Sequence, residues 1–248
     1  MDKTSIQKTT KVRVFGTLES SNILQWDFRV LLWNIHKCLS KKLPDDMHSL
    51  LDRADIVLFQ EALFSEKWEG LFEKFDGFGW GFFKGFRFPR REIFSGVMTG
   101  SRYTMSGHSI HSTSDQEPIL RTHKSSGLSY FPIAWKSERL LIVNTHAMNF
   151  NFGKPFRRQI KETLLLVQEH IGPMIWAGDF NTWSKGRKAF LLEVAESLGL
   201  SWIEPKQDRR FLKLDHILYR GIEPLYAEVI GTIKSSDHKP ILAGFRMG

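Results

Sequence analysis

Short apolar runs alternate with helical patterns along the 248 residues of the chain. Five of these runs are rich in β-branched or large apolar side chains, a composition typical of strands that are buried on both faces. They lie at residues 29–33, 56–59, 140–143, 174–177 and 217–219. Apolar residues recur at helical spacing in three segments between them, at 47–54, 156–171 and 186–198. The alternation predicts an α/β fold in which helices cover both faces of a sheet.

Domain boundaries are weakly marked in this sequence. Residues 1–11 are polar and are expected to form a flexible leader, and residues 12–248 contain no linker, repeat or low-complexity tract. We therefore expect a single domain over 12–248. The segment 78–94 mixes aromatic and basic residues, and we interpret 78–83 as a core strand and 85–91 as a substrate-facing loop. That loop would carry Arg87, Arg90 and Arg91 as substrate-binding residues, and it fits a nucleic acid or a lipid equally well.

Composition and charge narrow the class of protein. Hydrophobic residues make up 42% and charged residues 25%, which excludes a disordered chain, and a single cysteine, Cys38, excludes an intramolecular disulfide. The absence of a long apolar run or a signal-peptide pattern leads us to expect a cytoplasmic protein without a transmembrane segment. The net charge is −1 up to residue 76 and +9 beyond it. A basic surface favours polyanions such as nucleic acids, although a merely solubilising surface is the alternative.

Polar functional groups follow several of the apolar runs. They are Asn34, Glu61, His146, Asp179 and Asn181, and two more polar clusters contain Asp215 and the pair Asp237-His238. Ligand sites of α/β folds assemble at the carboxyl ends of strands. Carboxylate and amide oxygens suit Mg²⁺ or Mn²⁺, and imidazoles can donate hydrogen bonds to phosphate oxygens. The combination is what hydrolysis of a phosphoester needs, whereas motifs of the competing chemistries, such as a P-loop or a G-x-S-x-G turn, are absent from the sequence.

Seven short motifs in order give the chain a resemblance to a known family. They are Trp33-Asn34-Ile35-His36, Gln60-Glu61, Gly100-Ser101-Arg102, Asn144-Thr145-His146, Gly178-Asp179-Phe180-Asn181, Leu214-Asp215-His216 and Ser236-Asp237-His238. The set resembles the exonuclease–endonuclease–phosphatase superfamily, also called DNase I-like, from about residue 30 to residue 245. The resemblance implies a sandwich of two packed mixed β-sheets flanked by helices, with the site at one edge.

The resemblance also implies a role for each matching residue. Glu61 would be the principal metal ligand, with Asn34 and Asp237 beside it. Asp179 would orient or deprotonate the attacking water, helped by Asn181. His238, held by Asp215, would contact the scissile phosphate, and His146 would be the second phosphate-contacting histidine. Arg102 would bind substrate, with a structural role as the alternative.

These observations predict a Mg²⁺- or Mn²⁺-dependent phosphodiesterase, by resemblance a nuclease that cleaves DNA or RNA. A hydrolase of a lipid or small-molecule phosphoester is the first alternative, and a non-catalytic nucleic-acid-binding protein is the second. His36 stands where abasic-site endonucleases of the family usually carry Asp, which argues against that activity. We interpret His36, His48, His108, His111, His123 and His170 as ordinary hydrogen-bonding residues, and leave His216 out of the site.

Overall fold

The computed structural model describes residues 11–16, 22–89, 92–113, 115–117, 122–149 and 154–248. The predicted leader therefore falls almost entirely outside the described residues. These residues form strands β1 (Val12–Phe15), β2 (Asp27–Asn34), β3 (Ile56–Phe64), β4 (Gly79–Arg87), β5 (Phe94–Ser101), β6 (Gly107–Ser112), β7 (Ser125–Pro132), β8 (Arg139–His146), β9 (Met174–Asp179), β10 (Ser201–Ile203), β11 (Asp215–Arg220), β12 (Ile222–Val229) and β13 (Ile241–Met247). The α-helices are α1 (Leu43–Leu51), α2 (Glu66–Phe72), α3 (Lys154–Val167) and α4 (Lys185–Ser197).

The strands make two sheets. The seven-stranded sheet has the order β1-β4-β5-β3-β2-β13-β12, and the six-stranded sheet has the order β10-β11-β9-β8-β7-β6. Each sheet contains one parallel pair, β2 with β3 and β8 with β9, among antiparallel neighbours. Both sheets are therefore mixed, and the sandwich that the family resemblance implied is confirmed.

The core lies in three layers, and these layers explain the continuous apolar runs. Val30 and Leu32 of β2 pack with Ile142 and Ile175 of the other sheet, in the layer between the sheets. The alternate residues Leu31 and Trp33 face the opposite way, into the layer that α1 and α2 cover. In the six-stranded sheet, Leu141 and Trp176 likewise face outward, into the layer that α3 and α4 cover. Since successive side chains of a strand point to opposite faces, a strand in such a sandwich must be apolar on both.

Most predicted elements are confirmed, with three differences: the helix predicted at 47–54 is α1, which ends at Leu51, and the other two concern α3 and residues 85–91. The five predicted strands are β2, β3, β8, β9 and β11, and the predicted helix 186–198 is α4. Helix α3 ends at Val167 rather than Ile171, which is 91% exposed, because the chain turns there and runs through Pro173 into β9. The expected loop 85–91 is also partly wrong, since β4 continues as a strand to Arg87. No helix within the described ranges has the length and apolarity needed to cross a bilayer.

Candidate active site

The polar residues that follow the apolar runs meet at one edge of the sandwich. The parallel pair β2 and β3 brings Asn34 beside Gln60, the residue before Glu61, and the parallel pair β8 and β9 brings His146 beside Asp179. Strand β11 is antiparallel to β9, and its first residue, Asp215, lies opposite Asp179. A pocket of about 290 Å³ at this edge is lined by Glu61, His146, Asp179, Asn181, Asp237 and His238, among others. The edge that strand polarity predicted is therefore where these residues gather.

Glu61 sits at a distortion of β3. The register between β3 and β5 shifts between Phe59 and Ala62, and Glu61 has φ 53°, a conformation that non-glycine residues rarely adopt. Backbone strain of this kind costs about 1–3 kcal/mol and is often found at functional sites. The Oε2 atom of Glu61 is buried and accepts no hydrogen bond, while the Lys37 ammonium lies 3.2 Å away. Glu61 lines the pocket, and a buried carboxylate oxygen that accepts no hydrogen bond but is ion-paired with an ammonium fits a cation ligand.

Asp179 is held rigidly by two amide donors. Asn34 Nδ2 donates to its Oδ2 atom over 3.0 Å, and the backbone N–H of Asn181 donates to its Oδ1 atom over 3.0 Å. Burial and then repulsion from Asp215 raise the pKa of Asp179 to about 6, against the lowering effect of His238 and the two amides. The carboxylate is therefore ionised at neutral pH but more basic than an exposed aspartate.

The amides of Asn34 and Asn181 also have protein partners of their own. Asn34 Oδ1 accepts from the backbone N–H of His36 over 3.0 Å, so one of its lone pairs is already used. Asn181, with φ 50°, donates from Nδ2 to the carbonyl of Ala147 over 2.9 Å. Both side chains are almost fully buried. As placed here, both amides fix the backbone around Asp179.

His238 forms a pair with Asp215. Its Nδ1 atom lies 3.0 Å and 3.1 Å from the two carboxylate oxygens, and its Nε2 atom lies 3.8 Å from Asp179 Oδ2. Burial disfavours the imidazolium, but attraction and hydrogen bonding to Asp215, with Asp179 and Asp237, outweigh it and raise the pKa of His238 to about 10. Asp215 is itself held by Arg210, at 3.2 Å. The pair therefore presents a protonated imidazole edge toward Asp179.

Asp179, Asp215 and His238 also offer ligand atoms within 4.8 Å of one another, as a metal site would. A histidine must be deprotonated to bind a metal, and the raised pKa of His238 opposes that. The three residues are better described as a hydrogen-bonded charge network than as a ligand set.

His146 also lines the pocket, and its protonation state is opposite to that of His238. Its Nε2 atom is 3.6 Å from Asp179 Oδ2 and 3.8 Å from Glu61 Oε1. Burial, followed by the positive charges of Lys124, His238 and Lys37, lowers the pKa of His146 well below the usual value. His146 is therefore neutral at physiological pH, while His238 is charged.

The remaining predicted site residues are spread out. Asp237 is 64% exposed at the side chain, and its Oδ1 atom lies 3.5 Å from His36 Nδ1. Arg87 pairs with Glu92 next to Phe86, a residue that lines the pocket. Arg90 and Arg91 lie outside the described residues.

Arg102 does not belong to this pocket. Its guanidinium donates to the carbonyls of Leu51 and Ala54 and lies over the ring of Phe78. Ser101 pairs with Ile56 at the start of β3, so Arg102 lies about 16 Å from Glu61 measured along the strand direction. The substrate-binding role predicted for it is replaced by the structural alternative, because β5 is antiparallel to β3 and ends at the opposite edge of the sheet.

Sequence reasoning missed several residues that line the pocket: His36, Lys37, Glu117, Thr122, His123 and Lys124. His36 and Lys37 could have been found, since they directly follow Asn34. Glu117 and Lys124 carry no local signal, because they come from the loop before β7 rather than from the end of an apolar run.

Comparison with known proteins agrees with this geometry. Residues 31–238 match the model of the Endonuclease/Exonuclease/phosphatase family. A UPF0294 protein of Vibrio vulnificus is 33% identical over 225 residues, which cover 88% of this chain and 76% of that protein. The catalytic domain of human Nocturnin, solved with a bound sulfate anion, has a TM-score of 0.69 at 17% identity, covering 96% of this chain and 98% of that one. D. rerio TDP2 complexed with a single-strand DNA product has a TM-score of 0.66 at 17% identity, covering 90% and 100%. The chain thus belongs to the Endonuclease/Exonuclease/phosphatase family, whose members are phosphoester hydrolases.

Proposed function

We propose that this protein is a divalent-metal-dependent phosphodiesterase that cleaves DNA or RNA by in-line attack of water. One observation carries the proposal: a buried aspartate, Asp179, lines the same pocket as a protonated histidine, His238, whose Nε2 atom is 3.8 Å away, and a carboxylate, Glu61, whose Oε2 atom accepts no hydrogen bond. A base, a cation and a candidate metal ligand around one cavity are the parts that hydrolysis of a phosphodiester requires.

Asp179 is the proposed base. Its pKa of about 6 leaves it ionised at neutral pH and close to the value at which a general base is most effective. The donors from Asn34 and Asn181 fix both of its oxygens, so it would orient an attacking water without moving itself.

His238 is the proposed phosphate-contacting cation. Asp215 accepts from Nδ1, which leaves the Nε2–H of the imidazolium directed toward Asp179 and available to a non-bridging phosphate oxygen. His146 is the proposed second phosphate contact, and its neutral ring can donate from one nitrogen and accept at the other.

Glu61 is the proposed principal ligand of Mg²⁺ or Mn²⁺. Asp237 is exposed enough to join it, and Asn34 has a second lone pair on Oδ1. The donors are all oxygens, which fits a hard divalent cation rather than zinc in a tetrahedral site. When bound, the metal would neutralise charge that develops on the phosphate and the leaving oxygen.

A nucleic acid is the proposed substrate because of charge. The chain carries a net charge of +9 beyond residue 76. The solved structures with this fold include one with a single-strand DNA product. A lipid or small-molecule phosphoester is the competing substrate class, and a binding function without catalysis is the competing role.

A substrate panel tests the proposal. The purified protein is incubated with Mg²⁺, with Mn²⁺ or with EDTA, on supercoiled DNA, single-stranded DNA, RNA, bis(p-nitrophenyl) phosphate, phosphoinositides and sphingomyelin. We expect cleavage of a polynucleotide that requires metal and stops in EDTA. Turnover of lipid alone would refute the nuclease assignment, and no turnover of any phosphoester would favour the binding role.

A further inference from the structure

A lysine from outside the family-like motifs reaches into the pocket. Lys124 directly precedes β7, and its side chain is only 12% exposed. Its Nζ atom lies 3.0 Å from Nε2 and 3.4 Å from Nδ1 of His146. The pocket that Lys124 lines also contains Glu61, Asp179 and His238.

Lys124 is held in place by a buried carboxylate. Glu117 Oε1 lies 3.6 Å from the ammonium, and the Glu117 side chain is 1% exposed. That carboxylate is itself fixed, because it accepts from Thr122 Oγ1 over 2.6 Å and from the backbone N–H of Asn149 over 2.9 Å. The backbone of Lys124 is tied to Thr113, whose N–H donates to its carbonyl over 3.0 Å. The ammonium therefore has a defined position on the pocket wall.

The protein contacts of Lys124 do not use all of its hydrogen-bond donors, and the remaining donors are available to the pocket. An ammonium has three N–H donors and accepts none. Within the described part of the chain, the polar groups near its Nζ atom are the ring nitrogens of His146, one of which can accept a hydrogen bond, and Glu117 at 3.6 Å, beyond ordinary hydrogen-bond length. A nearly buried ammonium with donors to spare, which lies beside the His146 ring and lines the same pocket as Asp179, is suited to an anionic oxygen of a ligand.

We propose that Lys124 binds a non-bridging oxygen of the substrate phosphate on the His146 side of the pocket, and that Glu117 is the positioning residue that holds it there. The inference rests on the proposed function, since it assigns a third phosphate contact, after His238 and His146, to the same site. The phosphate would then contact both Lys124, which lies beside His146, and His238; the Nε2 atoms of the two imidazoles lie 3.6 Å and 3.8 Å from Asp179 Oδ2.

Two measurements test the inference on wild type and on Lys124→Met, Lys124→Arg and Glu117→Gln. The first is the affinity for inorganic phosphate in EDTA, by calorimetry, and the second is kcat and KM on bis(p-nitrophenyl) phosphate with Mn²⁺. Lys136→Met is the matched control, because Lys136 is exposed beyond the far end of β7 and its loss changes the net charge equally. The double variant Lys124→Met with Glu117→Gln controls for folding, since it leaves no unpaired buried carboxylate.

We expect Lys124→Met and the double variant to lose at least tenfold in phosphate affinity and kcat/KM, while Lys124→Arg retains most of both and Lys136→Met matches wild type. Glu117→Gln should raise KM more than it lowers kcat, an effect that a merely structural role would not produce. Wild type that binds phosphate no more tightly than folded Lys124→Met would overturn the inference. Wild type that binds phosphate through Lys124 but hydrolyses no phosphoester would support it while refuting the proposed function.

Discussion

Replacing Asp215 by Asn should remove the charge that keeps His238 protonated. The pKa of His238 is raised from 6.5 to about 10 in the folded protein. For this side chain, which is 15% exposed, the difference corresponds to at most about 5 kcal/mol of free energy in favour of the protonated form. Burial pulls this pKa down, and Asp215 is the largest opposing influence. Without Asp215 we expect a mostly neutral imidazole at pH 7.5, with no fixed N–H toward the phosphate.

The expected consequence is a loss of about 10²–10³-fold in kcat/KM at pH 7.5 on bis(p-nitrophenyl) phosphate with Mn²⁺, the usual contribution of one preorganised donor to the charge of a transition state. NMR of the imidazole in EDTA reports the protonation state separately. Asp208→Asn is the matched control, because Asp208 is buried and binds the same Arg210 without touching His238. The reasoning is refuted if Asp215→Asn stays within threefold of Asp208→Asn, or if its His238 remains protonated at pH 8.

Three further predictions concern packing, metal and pH. Gly178→Ala should lower Tm by several degrees, because an added Cβ would lie 1.9 Å from the Thr145 carbonyl oxygen. Gly186→Ala is the control and should not lower Tm, because a Cβ there meets open space. Glu61→Gln should weaken Mn²⁺ binding more than tenfold by calorimetry, and unchanged affinity would remove Glu61 from the metal site. The raised pKa of His238 stabilises the folded protein fully below pH 6.5, and this stabilisation is lost as the pH rises through 10. The urea concentration at the midpoint of unfolding, measured in EDTA, should therefore fall between pH 6.5 and 10. A midpoint that rises over that range contradicts the raised pKa of His238.

The sequence predicted the central strands well because their environment is simple. Strands such as β2 and β9 are covered on both faces, so residues 30–33 and 174–177 are all apolar and each run stands out from its neighbours. Strand β6 (Gly107–Ser112) is partly exposed and polar, with two histidines, and it becomes a strand only by pairing with β7. Such an element has no signal of its own, because tertiary pairing rather than local composition determines it.

The candidate site was predictable where strand polarity decides it. Glu61, His146 and Asp179 follow the apolar runs of β3, β8 and β9, so their convergence at one edge could be inferred from their place after those runs. Arg102 was misplaced because the direction of β5 cannot be deduced from a short motif. Lys124 could not have been found, since a loop brings it to the pocket and a buried partner fixes it.

Replacement of Asp179 by Asn is the most direct test of the claim that this pocket hydrolyses phosphodiesters. Asn keeps the size of the side chain but removes the charge beside His238 and His146. Turnover of single-stranded DNA and of bis(p-nitrophenyl) phosphate should be measured with Mn²⁺ and with EDTA, beside Asp76→Asn, which alters an exposed carboxylate. We expect metal-dependent turnover in wild type and Asp76→Asn, and a loss of at least 10²-fold in Asp179→Asn. Turnover in Asp179→Asn equal to that of Asp76→Asn would contradict the mechanism.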